Sequence, residues 1–193
     1  LEELVETLRN GEDPITIWLM LTAGETTDEF IDKLIPLMKK GDLLIDGGNS
    51  FYKDTLTRAE RIKAAGIRFM DIGTSGGPGG ARTGACLMIG GDAADYEEIK
   101  ELVVAASSKD AYGHFGPIGA GHFAKMVHNG VEYGMMEAIS EGAAILKNAP
   151  FEMDLVEIFR VYNNRSVVES RLVGWALDAL KEDPELTEYS SVI

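Results

Sequence analysis

The stretch ITIWLML, residues 15–21, decides the fold, because it is a continuous run of apolar and β-prone side chains. A strand with one exposed face alternates apolar and polar residues, whereas an unbroken run is typical of a strand covered on both faces. Helical periodicity flanks the run, over residues 1–9 before Gly11 and over residues 26–38 before Gly41. We therefore predict a strand of a parallel sheet over residues 15–21, with helices around it.

Strand and helix patterns continue to alternate through the first part of the chain. Further strands are predicted over residues 43–46, 67–72, 85–89 and 112–115. Further helices are predicted over residues 54–65 and 93–105. This order is typical of a doubly wound α/β domain, which we assign to residues 1–118.

The strand signals stop after Gly119, and helical patterns replace them over residues 121–147, 153–162 and 167–181. Pro150 and the pair Asn163-Asn164 separate these patterns. We therefore predict that an all-helical domain occupies residues 119–193.

Composition excludes several classes of protein. The formal net charge of −14 opposes binding to nucleic acid or to an anionic membrane, so local cations must hold any anionic substrate. No apolar run approaches the roughly 20 residues that a membrane helix needs. The acidic residues 1–8 do not resemble an export signal, and the single cysteine, Cys86, excludes an internal disulfide. These features lead us to expect a cytoplasmic protein.

The segment GHFAKMVHNGVEYG, residues 121–134, carries the most varied chemistry. On a helix, its polar residues fall at positions i, i+3, i+4, i+7 and i+8, which lie on one face. These residues are Lys125, His128, Asn129, Glu132 and Tyr133. An amine, an imidazole, an amide, a carboxyl group and a phenol on one face favour a reaction site, although a solvated helix face is the alternative.

Two further features of this segment favour the reaction site. Gly130 and Gly134 would each destabilise a helix by about 1 kcal/mol relative to alanine, which predicts that a ligand or another backbone comes close. The remaining positions are apolar, which predicts that the helix is central and not peripheral. They are Phe123, Met126, Val127, Val131, Met135 and Met136.

Three glycine-containing loops follow predicted strands. Ser75, Gly76 and Gly77 lie in the segment DIGTSGGPGGARTGACLMIGG, residues 71–91, and Asn49 lies in DGGNS, residues 46–50. The loop Thr22–Ala23–Gly24 follows the first strand. Loops at the carboxyl ends of strands are where open α/β sheets bind ligands, although each loop alone could be a simple turn.

Taken together, these motifs resemble the β-hydroxyacid dehydrogenases and, within them, the 6-phosphogluconate dehydrogenase family. The Ser-Gly-Gly loop and a lysine followed by asparagine four residues later are shared across the superfamily. His128, Glu132 and the IDGGNS run are similar to the phosphogluconate enzymes, because hydroxyisobutyrate-type relatives lack this histidine and this glutamate.

The resemblance implies an incomplete Rossmann-like NAD(P)-binding domain followed by a helical substrate domain. The dinucleotide fingerprint of the family is expected before Leu1, and its later phosphate-binding residues are expected after Ile193, so the chain resembles a fragment. The implied cofactor is NADP or NAD, and the implied partner is a small sugar-acid phosphate, with no nucleic acid, membrane or metal ion. The family also implies a homo-oligomer.

The resemblance also implies a role for each motif residue in the oxidative decarboxylation of 6-phosphogluconate. Lys125 corresponds to the general base and Glu132 to the general acid. The residues implied to bind substrate are Asn49, Ser75, Gly76, Gly77, His128, Asn129 and Tyr133. Those implied to contact the cofactor are Thr22, Ala23, Gly24 and Asn49. Two alternatives are a hydroxyisobutyrate-type dehydrogenase and a non-catalytic binding or assembly module.

Overall fold

A computed structural model describes residues 1–184, 186 and 187, which form two units divided between His128 and Asn129. The strands are β1 (Thr16–Leu19), β2 (Leu43–Asp46), β3 (Arg68–Ser75), β4 (Ala85–Gly90) and β5 (Ser107–Gly116). The helices are α1 (Glu2–Leu8), α2 (Glu25–Leu34), α3 (Tyr52–Ala64), α4 (Gly77–Thr83), α5 (Ala93–Glu98), α6 (Lys100–Ala106), α7 (Ala120–Lys147), α8 (Leu155–Tyr162) and α9 (Arg171–Glu182). A 3-10 turn, Ile35–Leu37, extends α2.

The strands of the first unit form one sheet in the order β1-β2-β3-β4-β5. The pairs β1–β2, β2–β3 and β4–β5 are parallel, as predicted, but β3–β4 is antiparallel. The predicted parallel sheet is therefore a mixed sheet, with one antiparallel pair. Only residues 76–84 connect β3 to β4, and a parallel crossover needs about a dozen residues or more.

Both faces of the sheet are covered, which confirms the interpretation of the apolar run in β1. Ile17 and Leu19 lie in one core cluster with residues of α1, α2 and α3, while Trp18 packs against the other cluster. That second cluster includes Ile99, which immediately precedes α6, and Val103 of α6. Each fully buried aliphatic side chain contributes about 1.5–3 kcal/mol to folding, so the two clusters hold the layers together.

The boundaries differ most from the prediction at three places in the first unit. Residues 77–83 form α4 and not a loop, because local hydrogen bonds such as Gly80 N–H to Gly76 O, 2.9 Å, close a helical turn despite the glycines. The predicted helix over 93–105 is two helices, because Ile99 leaves helical geometry at φ −94° and ψ 7°. β5 begins at Ser107 and not at residue 112, because Ser107 pairs with Ala85.

The second unit is helical, as predicted. Its core includes Phe159 of α8, with Val173 and Leu177 of α9. Ser170 caps α9, since its side chain accepts a hydrogen bond from the Val173 N–H, so this helix begins at Arg171 and not at residue 167. The last residues of the predicted helical domain, 188–193, lie outside the described residues. Within the described residues, no helix is long and apolar enough to cross a membrane.

Candidate active site

A buried carboxylate on β3 fixes the beginning of α7. The Asp71 side chain accepts hydrogen bonds from the backbone N–H of Gly119, 2.6 Å, and of His122, 2.7 Å. Burial raises the pKa of Asp71, against the opposing effect of these two N–H groups. A carboxylate at the N-terminus of a helix also interacts favourably with the helix dipole. Asp71 therefore anchors the first turn of α7 to the centre of the sheet.

Glycines let α7 lie directly on the sheet. A β-carbon added to Gly73 would clash with the β-carbon of Lys125 and lie 3.0 Å from the carbonyl oxygen of Gly121. A β-carbon on Gly121 itself would lie 2.8 Å from the carbonyl oxygen of Asp71. Such contacts are possible only without side chains at these positions. The close approach places Lys125 against Gly73 of β3, which lies two residues before Ser75.

Lys125, His128 and Ser75 form a continuous polar chain. Lys125 is 8% exposed, and its Nζ lies 3.4 Å from Nδ1 of His128. Nε2 of His128 lies 3.1 Å from Oγ of Ser75. When the Lys125 amine donates to Nδ1, a neutral His128 carries its proton on Nε2 and donates to Ser75. The Ser75 hydroxyl proton is then directed toward another acceptor. The structure thus brings together three of the residues singled out from the sequence.

The other predicted loop residues follow the strands as expected. Thr22, Ala23 and Gly24 follow β1, and Asn49 follows β2. Because β1, β2 and β3 are parallel, the carboxyl ends of all three strands lie at one edge of the sheet. Gly76 and Gly77 follow Ser75 at the same edge and have positive φ, 134° and 57°.

The loops after β1 and β2 are held in place by short hydrogen bonds. The Thr27 hydroxyl donates to the Thr22 carbonyl, 2.8 Å. The N–H of Gly47 donates to the Leu19 carbonyl, 2.8 Å, and that of Gly48 to the Asp46 carboxylate, 3.0 Å. Asn49, directly after Gly48, is therefore attached to a fixed turn.

The remaining predicted residues, Asn129, Glu132 and Tyr133, lie on α7 within the second unit. Asn129 and Glu132 are half-buried, and Tyr133 is 70% exposed. Their assignment to the site rests on the sequence motif and not on contacts with the first unit.

One expectation for α7, the burial of its apolar positions, is wrong, while the approach of a ligand to Gly130 and Gly134 stays a prediction. The apolar positions expected to be buried are 38–59% exposed. They are Phe123, Met126, Val127, Val131, Met135 and Met136. No described atom lies within 4 Å of a β-carbon added to Gly130 or Gly134, apart from the neighbouring helix backbone, so a close approach of another backbone is not found there. The close approach occurs at Gly73 and Gly121, which the sequence motif did not single out.

Three polar residues near these elements were missed from the sequence. Asp71 interrupts the apolar run over residues 69–72 within β3, and a lone carboxylate in such a run is a usable signal of a buried polar contact. His122 is buried, and its Nδ1 lies 2.7 Å from the Thr55 hydroxyl. Arg58 is buried in α3, where the helical pattern gives no sign of its partners.

Comparisons with known proteins agree with this arrangement. Residues 1–116 match the family model described as the NAD binding domain of 6-phosphogluconate dehydrogenase, and residues 121–192 match that of the C-terminal domain of 6-phosphogluconate dehydrogenase. The NAD(+)-dependent, decarboxylating 6-phosphogluconate dehydrogenase of Haloferax volcanii is 41% identical over 176 residues, which are 91% of this chain and 58% of that protein.

Solved structures show the same fold. Plasmodium falciparum 6-phosphogluconate dehydrogenase, determined in its apo form and with NADP+ or 6-phosphogluconate, has a TM-score of 0.83 and 33% identity. The match covers 92% of this chain and 39% of that chain. Mycobacterium tuberculosis 3-hydroxyisobutyrate dehydrogenase, 21% identical with a TM-score of 0.70, covers 82% of this chain and 53% of that chain and shares the fold.

This chain spans about 60% of the length of two of the curated relatives it matches and about 40% of the length of two others. The family model for the NAD binding domain nevertheless covers more than half of the chain, and the model for the C-terminal domain covers most of the rest. The chain belongs to the 6-phosphogluconate dehydrogenase family.

Proposed function

We propose that the protein containing this chain catalyses the oxidative decarboxylation of 6-phosphogluconate to ribulose 5-phosphate, with reduction of NAD or NADP. The observation that carries the proposal is the polar chain from Lys125 through His128 to Ser75, held against the sheet by the contact at Gly73. An amine beside an imidazole and a hydroxyl suits proton transfer to and from a sugar hydroxyl.

The loops after β1 and β2 fit a dinucleotide. Gly24 has φ 92°, and apart from its chain neighbours no atom of the described residues lies within 4 Å of a β-carbon added there, so a ligand can approach its backbone. It directly precedes α2, and helix N-termini favour phosphate groups. Thr22, Ala23, Gly24 and Asn49 would hold part of the cofactor. When bound, the nicotinamide accepts the hydride from the substrate.

The side chains of this chain would manage the protons. Lys125 takes the proton of the 3-hydroxyl as C3 loses hydride and becomes a ketone. The resulting lysine ammonium then transfers this proton to the ketone oxygen as the bond to the carboxylate breaks, which neutralises the charge that develops there. Carbon dioxide leaves and an enediol remains. Glu132, two turns after Lys125 on α7, protonates the carbon that lost the carboxylate, which becomes C1 of the product. Lys125 takes back the enediol hydroxyl proton in the same step, so that the C2 ketone of the product forms.

The remaining assignments concern substrate binding. Ser75, Gly76 and Gly77 would hold the carboxylate end, since a hydroxyl and turn N–H groups suit an anion. His128 and Asn129 would hold hydroxyl groups and Tyr133 the phosphate, while Asn49 lies between cofactor and substrate.

We also propose a division at residues 118 and 119 between the dinucleotide and helical domains, supported by the ranges of the two family models. We further propose a homo-oligomer, supported by large exposed apolar side chains in the second unit, such as Val168 and Trp175. Light scattering of the complete gene product would measure the oligomeric state.

The reaction is tested with the complete gene product and 6-phosphogluconate. We expect reduced nicotinamide and carbon dioxide to form in equal amounts. Oxidation without carbon dioxide, or a clear preference for 3-hydroxyisobutyrate, would favour the hydroxyisobutyrate-type alternative. Absence of both turnover and binding, measured by calorimetry with 6-phosphogluconate and NADP, would favour a non-catalytic module.

A further inference from the structure

Arg58 is a buried cation in which every N–H group donates a hydrogen bond. It lies on α3 and is 1% exposed. Its Nε and Nη2 donate to the two carboxylate oxygens of Asp28, both at 3.0 Å. Nη1 donates to Asp46, 3.1 Å, and to the Ser50 hydroxyl, 2.9 Å. Nη2 also donates to the Gly24 carbonyl, 3.1 Å. The planar guanidinium thus uses all five donors.

Apart from Asp28, which lies on α2, these partners lie at the two loops expected to meet the dinucleotide. Gly24 ends the loop after β1, while Asp46 and Ser50 bracket the loop after β2. The Ser50 hydroxyl also donates to Asp46, 2.8 Å, on the carboxylate oxygen that Arg58 contacts. The other Asp46 oxygen accepts the N–H of Gly48. One side chain from α3 therefore sets the separation of the two loops.

The loops also touch each other through backbone atoms. A β-carbon added to Gly48 would lie 2.8 Å from the Leu21 carbonyl oxygen, so the turn after β2 packs against the end of the loop after β1. A displacement of either loop would then move the other. Asn49 lies between Gly48 and Ser50, the two residues that this network restrains.

The free-energy cost of desolvating the charges in this network indicates that Arg58 serves to position its partners more than to stabilise the fold. A buried ion pair often stabilises a fold no better than apolar side chains of the same size, because both charges lose their hydration. A guanidinium fork does fix the direction of several acceptors at once, which a lysine ammonium does not. The Arg58 hydrogen bonds also lower the pKa of Asp28, against the opposing effect of burial, so Asp28 stays charged.

We propose that Arg58 is a positioning residue for dinucleotide binding: it holds Gly24 and Asn49 at the spacing the cofactor requires. The role in binding rests on the proposed function. Arg58 itself is enclosed by its protein partners and acts through the two loops.

The test replaces Arg58 in the complete gene product. Arg58→Lys keeps the charge and removes the fork. We expect the dissociation constant and the KM for NAD or NADP to rise about tenfold, with kcat within about twofold, because the loss affects binding of the cofactor and not the proton transfers. Backbone amides of residues 47–50 should exchange with solvent about tenfold faster. A merely structural role would lower the fraction of active enzyme and leave KM unchanged.

Arg61→Lys is the matched control. Arg61 lies on the same helix and pairs at the surface with Asp28 and Asp32, both at 2.8 Å. We expect it to leave the dinucleotide constants and the exchange of residues 47–50 unchanged. An Arg58→Lys protein that folds and binds the dinucleotide like wild type, with unchanged exchange, overturns the proposal.

Two further outcomes keep the test decisive. If Arg58→Lys does not fold, Asp28→Asn takes its place, because it weakens the same fork from a partly exposed position. A rise of several-fold in the dinucleotide dissociation constant then supports the proposal, and an unchanged constant overturns it. If the wild type does not oxidise 6-phosphogluconate, the proposed reaction fails, while the dinucleotide titration still decides the role of Arg58.

Discussion

Lys125 packs so closely on Gly73 that a β-carbon added to Gly73 would clash with the β-carbon of Lys125, and no side chain can be added there without moving β3 or α7. Gly73 lies on β3, two residues before Ser75, and Lys125 lies on α7. The contact therefore fixes the distance between the lysine and the serine-bearing strand end. It explains how a long flexible side chain can be held in one place.

Gly73→Ala should displace α7 from β3. Overpacking a close backbone contact costs about 1–3 kcal/mol of folding stability. We expect kcat to fall even under conditions in which the variant is fully folded, since the displacement moves the Lys125 amine relative to Ser75. Urea unfolding and steady-state kinetics measure the two effects. Unchanged kinetics in Gly73→Ala would contradict the positioning role of this contact.

Gly142→Ala provides the control for this substitution. Gly142 also belongs to α7, but no atom lies within 4 Å of a β-carbon added there, apart from the neighbouring helix backbone. Replacing a glycine inside a helix by alanine should stabilise the protein by about 0.5–1 kcal/mol. We expect unchanged kinetics for this variant.

Ser75→Ala removes the hydroxyl that lies 3.1 Å from Nε2 of His128. We expect the KM for 6-phosphogluconate to rise about tenfold, because both the serine hydroxyl and the orientation of His128 are lost. Thr74→Val is the control, since Thr74 is the adjacent residue of β3 and its side chain points to the opposite face of the strand. Similar KM values for the two variants would argue against a role for Ser75 in substrate binding.

Glu132→Gln keeps the size of the side chain but removes its acidic proton. Release of ribulose 5-phosphate should slow by about 10²–10⁴-fold, the usual contribution of a general acid. The first turnover should still produce reduced nicotinamide, because hydride loss precedes the protonation step. Rapid-mixing absorbance and product analysis separate the two steps. Glu137→Gln, an exposed position on the same helix, should behave like wild type.

The ionised Asp42 carboxylate should stabilise the folded protein at neutral pH, and this contribution should be lost at strongly acidic pH. Burial would raise its pKa, but the Arg9 side chain and the backbone N–H groups of Ile15 and Lys39 outweigh this effect and lower the pKa. A carboxylate with a lowered pKa in the folded state stabilises the protein above its unfolded-state value of about 3.9, and this contribution is lost as the pH falls through the folded-state pKa.

Asp42→Asn should therefore lower the free energy of unfolding by about 1–3 kcal/mol at pH 7 and by less near pH 3. Urea unfolding across this pH range measures the difference. Asp178→Asn, which alters an exposed pair with Lys181, should have little effect at either pH. A difference between wild type and Asp42→Asn that does not shrink at low pH would contradict the lowered pKa.

Local patterns were sufficient to predict most elements of the fold. The β2 boundaries agree with the prediction, because an apolar run between turn residues leaves one interpretation. The antiparallel pairing of β3 with β4 was missed, although the short connection over residues 76–84 contained the information. α4 could not be predicted, because local propensity disfavours a helix in a glycine-rich segment and the fold overrides that preference.

Part of the site was also predictable. Lys125 and His128 stand three residues apart on one helix, so their proximity follows from helix geometry. Their contact with Ser75 depends on the packing of α7 against β3, which depends in turn on Gly73 and Asp71. Arg58 was missed because its partners come from segments far apart in sequence, and no local pattern records such a contact.

The role of Lys125 is tested most directly by replacing it with alanine in the complete gene product and measuring turnover and substrate affinity together. We expect kcat to fall by at least about 10³-fold, while the dissociation constant for 6-phosphogluconate, measured by calorimetry, changes by less than about tenfold. Turnover within a few-fold of wild type would contradict the assignment of this buried amine as the base.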